Sequence, residues 1–428
     1  MTATRSYVDE LRGIARRAVA GRLKDSEHTR VTAELDGRFG RYIIRRVSRV
    51  DRLAAGAFFT GTSTSTALIA PLVSMLRRGA SVFDPACGSG DLLLAAAREL
   101  PVRRTVEATL ALWSDLISGR DLHQELVDVS KARLALLAWQ RSNRSDRSKR
   151  GFNSFFPNIR VGNGLKSTAG WSAARIAVMN PPFRLVRLPE GTEWGTGRAT
   201  EASEFVEAFL QNAAEGAHLA AVLPDSLRSG SRYERLRETV EGAAKIVSID
   251  LHGRLPGADI DVFILHGTKS KKGGPAPNWS VAPTSARTVG TYFDVSVGSV
   301  VPHRDAKRGP VVQYLHARCL PLSGELNGSP ENRRFAGRTV LPPFVLVRRT
   351  SKPRQRRRIT ATLVLGDSPI AVENHLLILK PRDGKVDTCR VLLRRLTDSS
   401  AAIWMNQRIR CRHLTVQSIK ELPWLEST

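Results

Sequence analysis

Short apolar runs alternate with amphipathic segments from Gly56 to about Lys269, and this alternation constrains the fold more than any other feature. Strands that alternate with helices are typical of a parallel, doubly wound α/β sheet. Seven runs are predicted strands: 81–84, 116–121, 158–162, 175–179, 218–224, 245–251 and 261–267. Four segments are predicted helices: 91–100, 123–141, 203–215 and 231–244.

The last two predicted strands are joined by a short connection, residues 252–260. A parallel pair needs a crossover of a dozen or more residues, whereas an antiparallel pair can be joined by a short loop. The final strand is therefore predicted to run antiparallel to its neighbour.

A charged stretch rich in Gly and Pro, KSKKGGPAPN at 269–278, is the best boundary in the chain. It separates an α/β region, 51–270, from a region with fewer helix patterns and more Pro, 279–428. Residues 1–50 form a third, Arg-rich segment that is predicted to be helical.

The charge of the chain indicates a polyanionic partner, most often nucleic acid. Lys and Arg number 66 against 40 Asp and Glu, a formal net charge of +26. After Pro275 there are 25 Lys and Arg against 11 Asp and Glu, so the last third holds more than half of the excess. The alternative is a solubility trait of an Arg-rich proteome.

Hydropathy and cysteine usage favour a cytoplasmic protein without a membrane span, a metal or a disulfide. No run of about 18 apolar residues occurs, and the first residues lack the apolar stretch of a secretory signal. The cysteines are far apart and include no C-x-x-C pair. They are Cys87, Cys319, Cys389 and Cys411.

A glycine loop, DPACGSGD, follows the first predicted strand and precedes a helix. Gly88 and Gly90 allow a tight turn and leave room for a ligand against the main chain. Asp121 ends the next strand, where it can accept hydrogen bonds from a ribose diol. The loop lacks both a third glycine and a Walker lysine, so it favours a nucleoside without a demanding phosphate group, such as S-adenosylmethionine.

Another apolar run ends abruptly in Asn180-Pro181-Pro182-Phe183. Two prolines cannot donate to a sheet ladder, so the strand must stop there. The Asn180 side chain and the Pro181 carbonyl offer two rigid acceptors for the protons of an exocyclic amine. Phe183 offers a flat face for an extruded base. The alternative is an ordinary turn that ends a strand.

Four motifs in order resemble the N6-adenine DNA methyltransferases of the gamma arrangement, over about residues 50–270. The motifs are FFT at 58–60, DPACGSG at 84–90, GRDL at 119–122 and NPPF at 180–183. That family includes type I modification subunits and single-chain enzymes with a C-terminal target-recognition domain. The resemblance implies a class I S-adenosylmethionine-dependent methyltransferase fold, Rossmann-like and doubly wound, with a final antiparallel strand.

The resemblance also implies the residues of the site. The target adenine is expected at Asn180, Pro181, Pro182 and Phe183. The methionine end of the cofactor is expected at Phe59 and Thr60, its floor at Asp84, Ala86 and Gly88, and its ribose at Asp121. The full expected cofactor set is Phe59, Thr60, Asp84, Ala86, Gly88, Gly90, Asp121, Leu122, Asn163, Gly164 and Asn180.

Three positions depart from the family pattern. Asn163 stands where an Asp usually faces the adenine amine of the cofactor, and its carbonyl can still accept that hydrogen bond. Gly61 stands where a proline commonly follows FFT. Leu255 stands where a second aromatic often contacts the flipped base, and it offers packing without stacking.

The C-terminal third is similar to the closing segment of single-chain target-recognition domains, at 373–381 and 403–425. It is expected to be a basic α+β domain that binds DNA. The candidate DNA contacts are Arg356, Arg357, Arg358, Arg408 and Arg410. The alternative for the arginine cluster at 348–358 is a solvated loop that reads no bases.

Together these features predict a site-specific DNA adenine-N6 methyltransferase that uses S-adenosylmethionine and acts on double-stranded DNA. The expected setting is a nucleoid-associated role in restriction-modification or phage defence, with restriction or specificity subunits as possible partners. Methylation of ribosomal RNA or of a protein glutamine is the alternative, disfavoured by FFT and by the basic C-terminal third. A DNA-binding relic with weak activity is a further alternative.

Overall fold

The structure is a computed structural model that describes residues 2–48, 60–142, 147–255, 260–274, 279, 287–321, 323–350, 358–409 and 413–424. The chain forms two compact units, Met1–Trp279 and Ser280–Thr428. Among the described helices, none is long and apolar enough to cross a membrane.

The first unit contains twelve of the described α-helices. They are α1 (Thr2–Val19), α2 (His28–Leu35), α3 (Arg38–Arg46), α4 (Gly61–Ile69), α5 (Val73–Arg77), α6 (Asp91–Ala97), α7 (Val106–Leu116), α8 (Gln124–Arg141), α9 (Thr168–Ala173), α10 (Glu201–Asn212), α11 (Asp225–Ser229) and α12 (Glu234–Ala243). Its strands are β1 (Val82–Asp84), β2 (Ile117–Asp121), β3 (Ile159–Val161), β4 (Ile176–Met179), β5 (Leu185–Arg187), β6 (Arg198–Thr200), β7 (His218–Pro224), β8 (Ala244–Arg254) and β9 (Asp261–Lys269).

Seven of these strands form the central sheet, in the order β3-β2-β1-β4-β7-β9-β8. The first five in this order are parallel, and β9 is antiparallel to both β7 and β8. The predicted α/β fold and the predicted antiparallel final strand are therefore confirmed. β9 lies between β7 and β8, and its six central residues are buried, among them the apolar run VFIL.

Two features of the first unit were not predicted from the sequence. β5 and β6 form a small antiparallel hairpin directly after the NPPF motif. Each strand has only three residues, which are too few to form a clear alternating pattern. α7 precedes β2 without a break, so its apolar residues merge with those of the strand.

The N-terminal helices pack into the core of the first unit. Leu11, Ile14 and Phe39 are fully or almost fully buried in the same apolar cluster as the sheet. Arg12 of α1 pairs with Asp128 of α8, with 3.2 Å between Nη1 and Oδ2. The helical segment predicted at 1–50 is thus helical over most of its described length and part of one body with the sheet.

The second unit combines β-sheets with four described helices. They are α13 (Val289–Tyr292), α14 (Val386–Thr397), α15 (Ser399–Arg408) and α16 (Val416–Lys420). Its strands are β10 (Phe293–Val297), β11 (Val311–Leu315), β12 (Glu325–Asn327), β13 (Asn332–Arg334), β14 (Phe344–Arg348), β15 (Ala361–Leu365), β16 (Ile370–Val372) and β17 (Leu376–Pro381). Five form a sheet in the order β10-β17-β14-β15-β12, and three form another, β13-β11-β16.

The structure corrects the expectation for two arginines of the second unit. Arg358 is only 6% exposed, and its guanidinium donates to the carbonyl of Ile409 at 3.0 Å. Arg408 is partly buried and forms an ion pair with Glu421. Both side chains therefore hold the fold of this unit together, and neither is an open phosphate contact. Arg356, Arg357 and Arg410 lie outside the described residues.

Candidate active site

A cavity of about 360 Å³ opens at the carboxyl ends of the parallel strands. Its walls come from the loops that follow β1, β2, β3 and β4, together with Thr60 and the start of α10. Ligands of doubly wound sheets bind at this edge, because the crossovers leave a crevice there. The expected site residues that line it are Thr60, Asp84, Ala86, Gly88, Asp121, Leu122, Asn163, Gly164, Asn180 and Pro182.

The glycine loop is held in place by its own main chain and by two acids. The Ala86 amide donates to Oδ1 of Asp84 at 3.0 Å. The Gly88 amide donates to Oδ2 of Asp121 at 3.0 Å, which ties the loop to the end of β2. Each carboxylate oxygen keeps a second lone pair for a ligand. Hydrogen bonds within the protein therefore fix the shape of the loop.

The loop surrounds a buried acid. Burial, against the opposing hydrogen bond from the Ala86 amide and with a further contribution from the charges of Asp121 and Asp91, raises the pKa of Asp84 to about 8. Burial likewise raises the pKa of the Cys87 thiol well above its usual range. A cation bound beside Asp84 would favour its charged form and lower this pKa again, whereas a phosphate would raise it, so the floor favours a cationic ligand.

Arg133 supports the loop from below. Its side chain is 2% exposed, and Nη1 donates to the Ser89 carbonyl and to the Asp91 carboxylate, each at 2.7 Å. Nε donates to the Glu34 carbonyl in α2 at 3.1 Å. A single buried guanidinium thus joins the glycine loop to α6, α8 and the N-terminal helices.

Asn180 is buried just after the end of β4, and only the NH2 group of its side-chain amide has a hydrogen-bond partner among the described residues. Nδ2 donates to Oγ1 of Thr60 at 3.0 Å. Oδ1 is buried and has no hydrogen-bond partner among the described residues. A buried acceptor without a partner costs free energy, so such an atom in a cavity points to a ligand that donates to it.

Asn163 and Leu122 occupy the part of the cavity next to Asp121. Oδ1 of Asn163 accepts a hydrogen bond from the main-chain N–H of Leu165 at 3.0 Å. The Nδ2 group of Asn163 can therefore donate to a ligand. Leu122 is 59% exposed although it is a large apolar residue. This combination of an acid, an amide and an exposed apolar side chain suits a nucleoside.

The cavity also contains residues that the sequence did not reveal. Phe205, on α10, contributes an aromatic ring to the wall. Arg184 and Glu201 form an ion pair at the same edge, and His123 approaches Asp121 with 3.2 Å between Nδ1 and Oδ1. The signal available in the sequence was weak, because Phe205 and Glu201 stand in an ordinary amphipathic helix.

Four named residues do not line the cavity. Gly90 and Pro181 are not among the residues that line it, although each stands between two lining residues, Ser89 and Asp91 or Asn180 and Pro182. Phe183 is 8% exposed and Leu255 is 1% exposed, and both pack in the core of the first unit. Stacking of Phe183 on a base therefore stays a prediction that requires its ring to turn. Phe59 lies outside the described residues.

Comparison with known proteins gives one family and a common fold. The sequence model of the N-6 DNA methylase family matches residues 34–240. Comparison with curated protein sequences gave no match.

Comparison with solved structures gave the following similarities, of which the first supports the fold. The type IIL restriction-modification enzyme MmeI, solved with DNA, is 12% identical, with a TM-score of 0.50 over 97% of this chain and 70% of that one. The type IIG restriction endonuclease BpuSI is 13% identical, with a TM-score of 0.43 over 84% of this chain and 57% of that one. A methyltransferase subunit of a type I restriction-modification system from Streptococcus thermophilus is 16% identical, with a TM-score of 0.35 over 50% of this chain and 45% of that one.

Proposed function

We propose that the chain is a site-specific DNA adenine methyltransferase, because the sequence model of the N-6 DNA methylase family matches residues 34–240. It transfers a methyl group from S-adenosylmethionine to N6 of an adenine in double-stranded DNA. Its setting is a restriction-modification or phage-defence system, in which the methyl group marks host DNA.

The observation that best supports this proposal is the unpaired oxygen of Asn180. The exocyclic amine of adenine is a poor nucleophile, because its lone pair is delocalised into the ring. A carbonyl oxygen that accepts one N–H bond pulls electron density toward nitrogen and favours a tetrahedral shape. Oδ1 of Asn180 is buried without a partner, and Thr60 holds the other end of the amide. The acceptor is therefore oriented in advance.

A second acceptor follows directly. The last ladder pair of β4 joins Met179 to Ala221, so the carbonyl of Pro181 lies beyond the sheet. Two prolines fix the main chain at this point. When N6 bonds to the methyl carbon, the bond between that carbon and the sulfonium sulfur breaks and positive charge develops on N6. The two oxygens would stabilise that charge until one N–H proton leaves to water.

The residues present fit S-adenosylmethionine. A Cβ built on Gly88 would meet no atom within 4 Å, so the main chain there faces open space. Asp84 and Asp121 suit the ammonium group and the ribose, and Leu122 suits the adenine ring. The cofactor supplies an activated methyl group on a sulfonium centre. The acidic floor of the cavity matches the positive charge of that ligand.

The test is single-molecule sequencing of DNA from cells that express the protein. We expect N6-methyladenine at one sequence motif with the wild type. Asn180→Ala should lower methyl transfer by roughly 10²–10³-fold, the effect of losing one such electrostatic contact. Its S-adenosylmethionine affinity, measured by calorimetry, should change little.

The matched control is Asn212→Ala, which alters a helix amide outside the cavity, bonded to the Ala208 carbonyl. This variant should methylate DNA like the wild type. Wild-type cells without any modified adenine would overturn the proposed function. Methylated ribosomal RNA or a methylated protein in the same cells would favour the alternative substrates instead.

A further inference from the structure

An ion pair lies at the edge of the cavity, directly after the NPPF motif. Nη2 of Arg184 donates to Oε1 of Glu201 at 3.0 Å, and Nε donates to the other carboxylate oxygen. Both residues line the cavity together with Asn180 and Pro182. The Glu201 amide also donates to the Arg184 carbonyl at 2.9 Å. Main chain and side chain therefore fix this arginine beside the two prolines.

The two partners differ in exposure. The Arg184 side chain is 42% exposed, whereas that of Glu201 is 11% exposed. The hydrogen bond to Glu201 raises the pKa of Arg184, so the guanidinium is charged throughout the physiological range. The mostly buried carboxylate of Glu201 thus holds the solvent-exposed guanidinium of Arg184 in one orientation.

A count of donors shows what this cation can still bind. A guanidinium has five N–H donors, and the fork to Glu201 uses two of them. Among the described residues, Arg184 donates to no other side chain or carbonyl. Nη1 and the second proton of Nη2 therefore remain for an acceptor at the rim. A planar donor pair of this kind matches a phosphate group.

We propose that Arg184 binds a DNA phosphate next to the target adenine, and that Glu201 is the positioning residue that orients it. This inference rests on the proposed function. A base that enters the cavity beside Pro182 leaves its own sugar and phosphate at the rim, where Arg184 lies. Phosphate contacts position a nucleic acid without reading its sequence, so the methylated motif does not depend on Arg184.

The competing role is purely structural: the ion pair would only fasten the loop after Phe183 to α10. The two roles predict different results for Arg184→Gln. A phosphate contact predicts a Michaelis constant for DNA that rises about 10- to 100-fold, the factor expected for lost charge-assisted hydrogen bonds. It also predicts a salt slope smaller by roughly 0.9. A structural role predicts lower thermal stability and an unchanged salt slope.

The matched control is Arg187→Gln, which removes the same charge three residues away. Arg187 is exposed in β5 and does not line the cavity. Any loss that comes only from weaker long-range attraction should be equal in the two variants. Arg184→Lys keeps the charge but loses the fork, so it should fall between the wild type and Arg184→Gln.

The decisive experiment uses duplexes that contain the methylated motif, with one phosphate at a time replaced by a neutral methylphosphonate around the target adenine. We expect one position at which the wild type and Arg187→Gln lose affinity and Arg184→Gln does not. Glu201→Gln should lose part of the sensitivity at that position, because it no longer holds the guanidinium by a charged fork.

If Arg184→Gln is as sensitive as the wild type at every position, or if no position matters to the wild type, the inference is overturned. Equal effects of the Arg184→Gln and Arg187→Gln changes would overturn it as well. Absence of methylation by the wild-type protein would instead count against the proposed function, and it is measured first.

Discussion

At the residue scale, two glycines of one loop face different surroundings. Both have a positive φ, +52° at Gly88 and +83° at Gly90. A Cβ on Gly88 meets nothing within 4 Å, whereas a Cβ on Gly90 would lie 2.4 Å from Oγ of Ser130. The first glycine therefore leaves space for a ligand, and the second allows α6 and α8 to pack closely.

This contrast predicts opposite effects of two similar substitutions. Gly88→Ala should weaken S-adenosylmethionine binding by roughly tenfold or more, since overpacking against the ligand costs about 1–3 kcal/mol. Its loss of stability should be limited to the strain of the positive φ, about 1–2 kcal/mol, because the added Cβ meets no protein atom. Gly90→Ala should mainly destabilise the fold. Calorimetry and thermal unfolding measure the two effects separately. Equal loss of stability in both variants would contradict this assignment.

The buried carboxyl of Asp84 makes stability depend on pH. Its pKa is about 8 in the folded protein and near 3.8 in an unfolded chain. Between these values the folded state binds more protons than the unfolded state, so the contribution of Asp84 becomes less favourable as pH rises.

Asp84→Asn removes this dependence. We expect the variant and the wild type to unfold at similar temperatures near pH 4 and the variant to gain stability relative to the wild type up to about pH 8. Its S-adenosylmethionine affinity should fall at every pH. Melting curves across the pH range test the prediction, and a constant difference between the two proteins would refute it.

At the element scale, Arg133 of α8 joins elements that are distant in sequence. Its bonds reach α2, the glycine loop and α6. Loss of one partner from a buried ion pair costs about 3–5 kcal/mol, because the other groups stay buried without a partner. Arg133→Met should therefore destabilise the first unit strongly and weaken cofactor binding.

The matched control is Arg77→Met. Arg77 pairs with Glu99 at 3.0 Å, but its side chain is 68% exposed, so its loss should cost about 1 kcal/mol or less. Urea denaturation followed by tryptophan fluorescence compares the two variants. Similar denaturation midpoints for both would show that the buried network contributes little.

At the scale of the whole molecule, all described residues that line the cavity belong to the first unit, and the second unit holds 25 Lys and Arg against 11 Asp and Glu. Trp279 belongs with the first unit, since its Nε1 donates to Glu241 and its carbonyl accepts from Arg228. The region predicted at 279–428 therefore begins after Trp279. We propose that this region selects the DNA sequence and binds the DNA.

A chain that ends after Trp279 tests this division of roles. It should bind S-adenosylmethionine with the affinity of the full chain, because every residue of the cavity is retained. Motif-specific methylation and most of the salt-dependent DNA affinity should be lost. Methylation of the same motif by the shortened chain would show that sequence selection lies in the first unit.

The order of strands and helices, the glycine loop and the NPPF motif follow from the sequence, because each depends on neighbours along the chain. Alternating apolar runs predicted all seven strands of the central sheet, and the short connection before β9 predicted its direction. All four residues of two hydrogen bonds were expected in one site, but the sequence did not show how they pair. Gly88 donates to Asp121, and Asn180 donates to Thr60.

Only the tertiary structure decided which side chains face the cavity and which face the core. Phe183 and Arg358 looked like contact residues in the sequence, but packing buries both. Arg184, Glu201 and Phe205 looked ordinary, and the approach of α10 to the end of β4 brings them to the cavity. The reason is physical. The local sequence determines whether a segment forms a helix or a strand, whereas the direction of each side chain depends on the elements that pack against it.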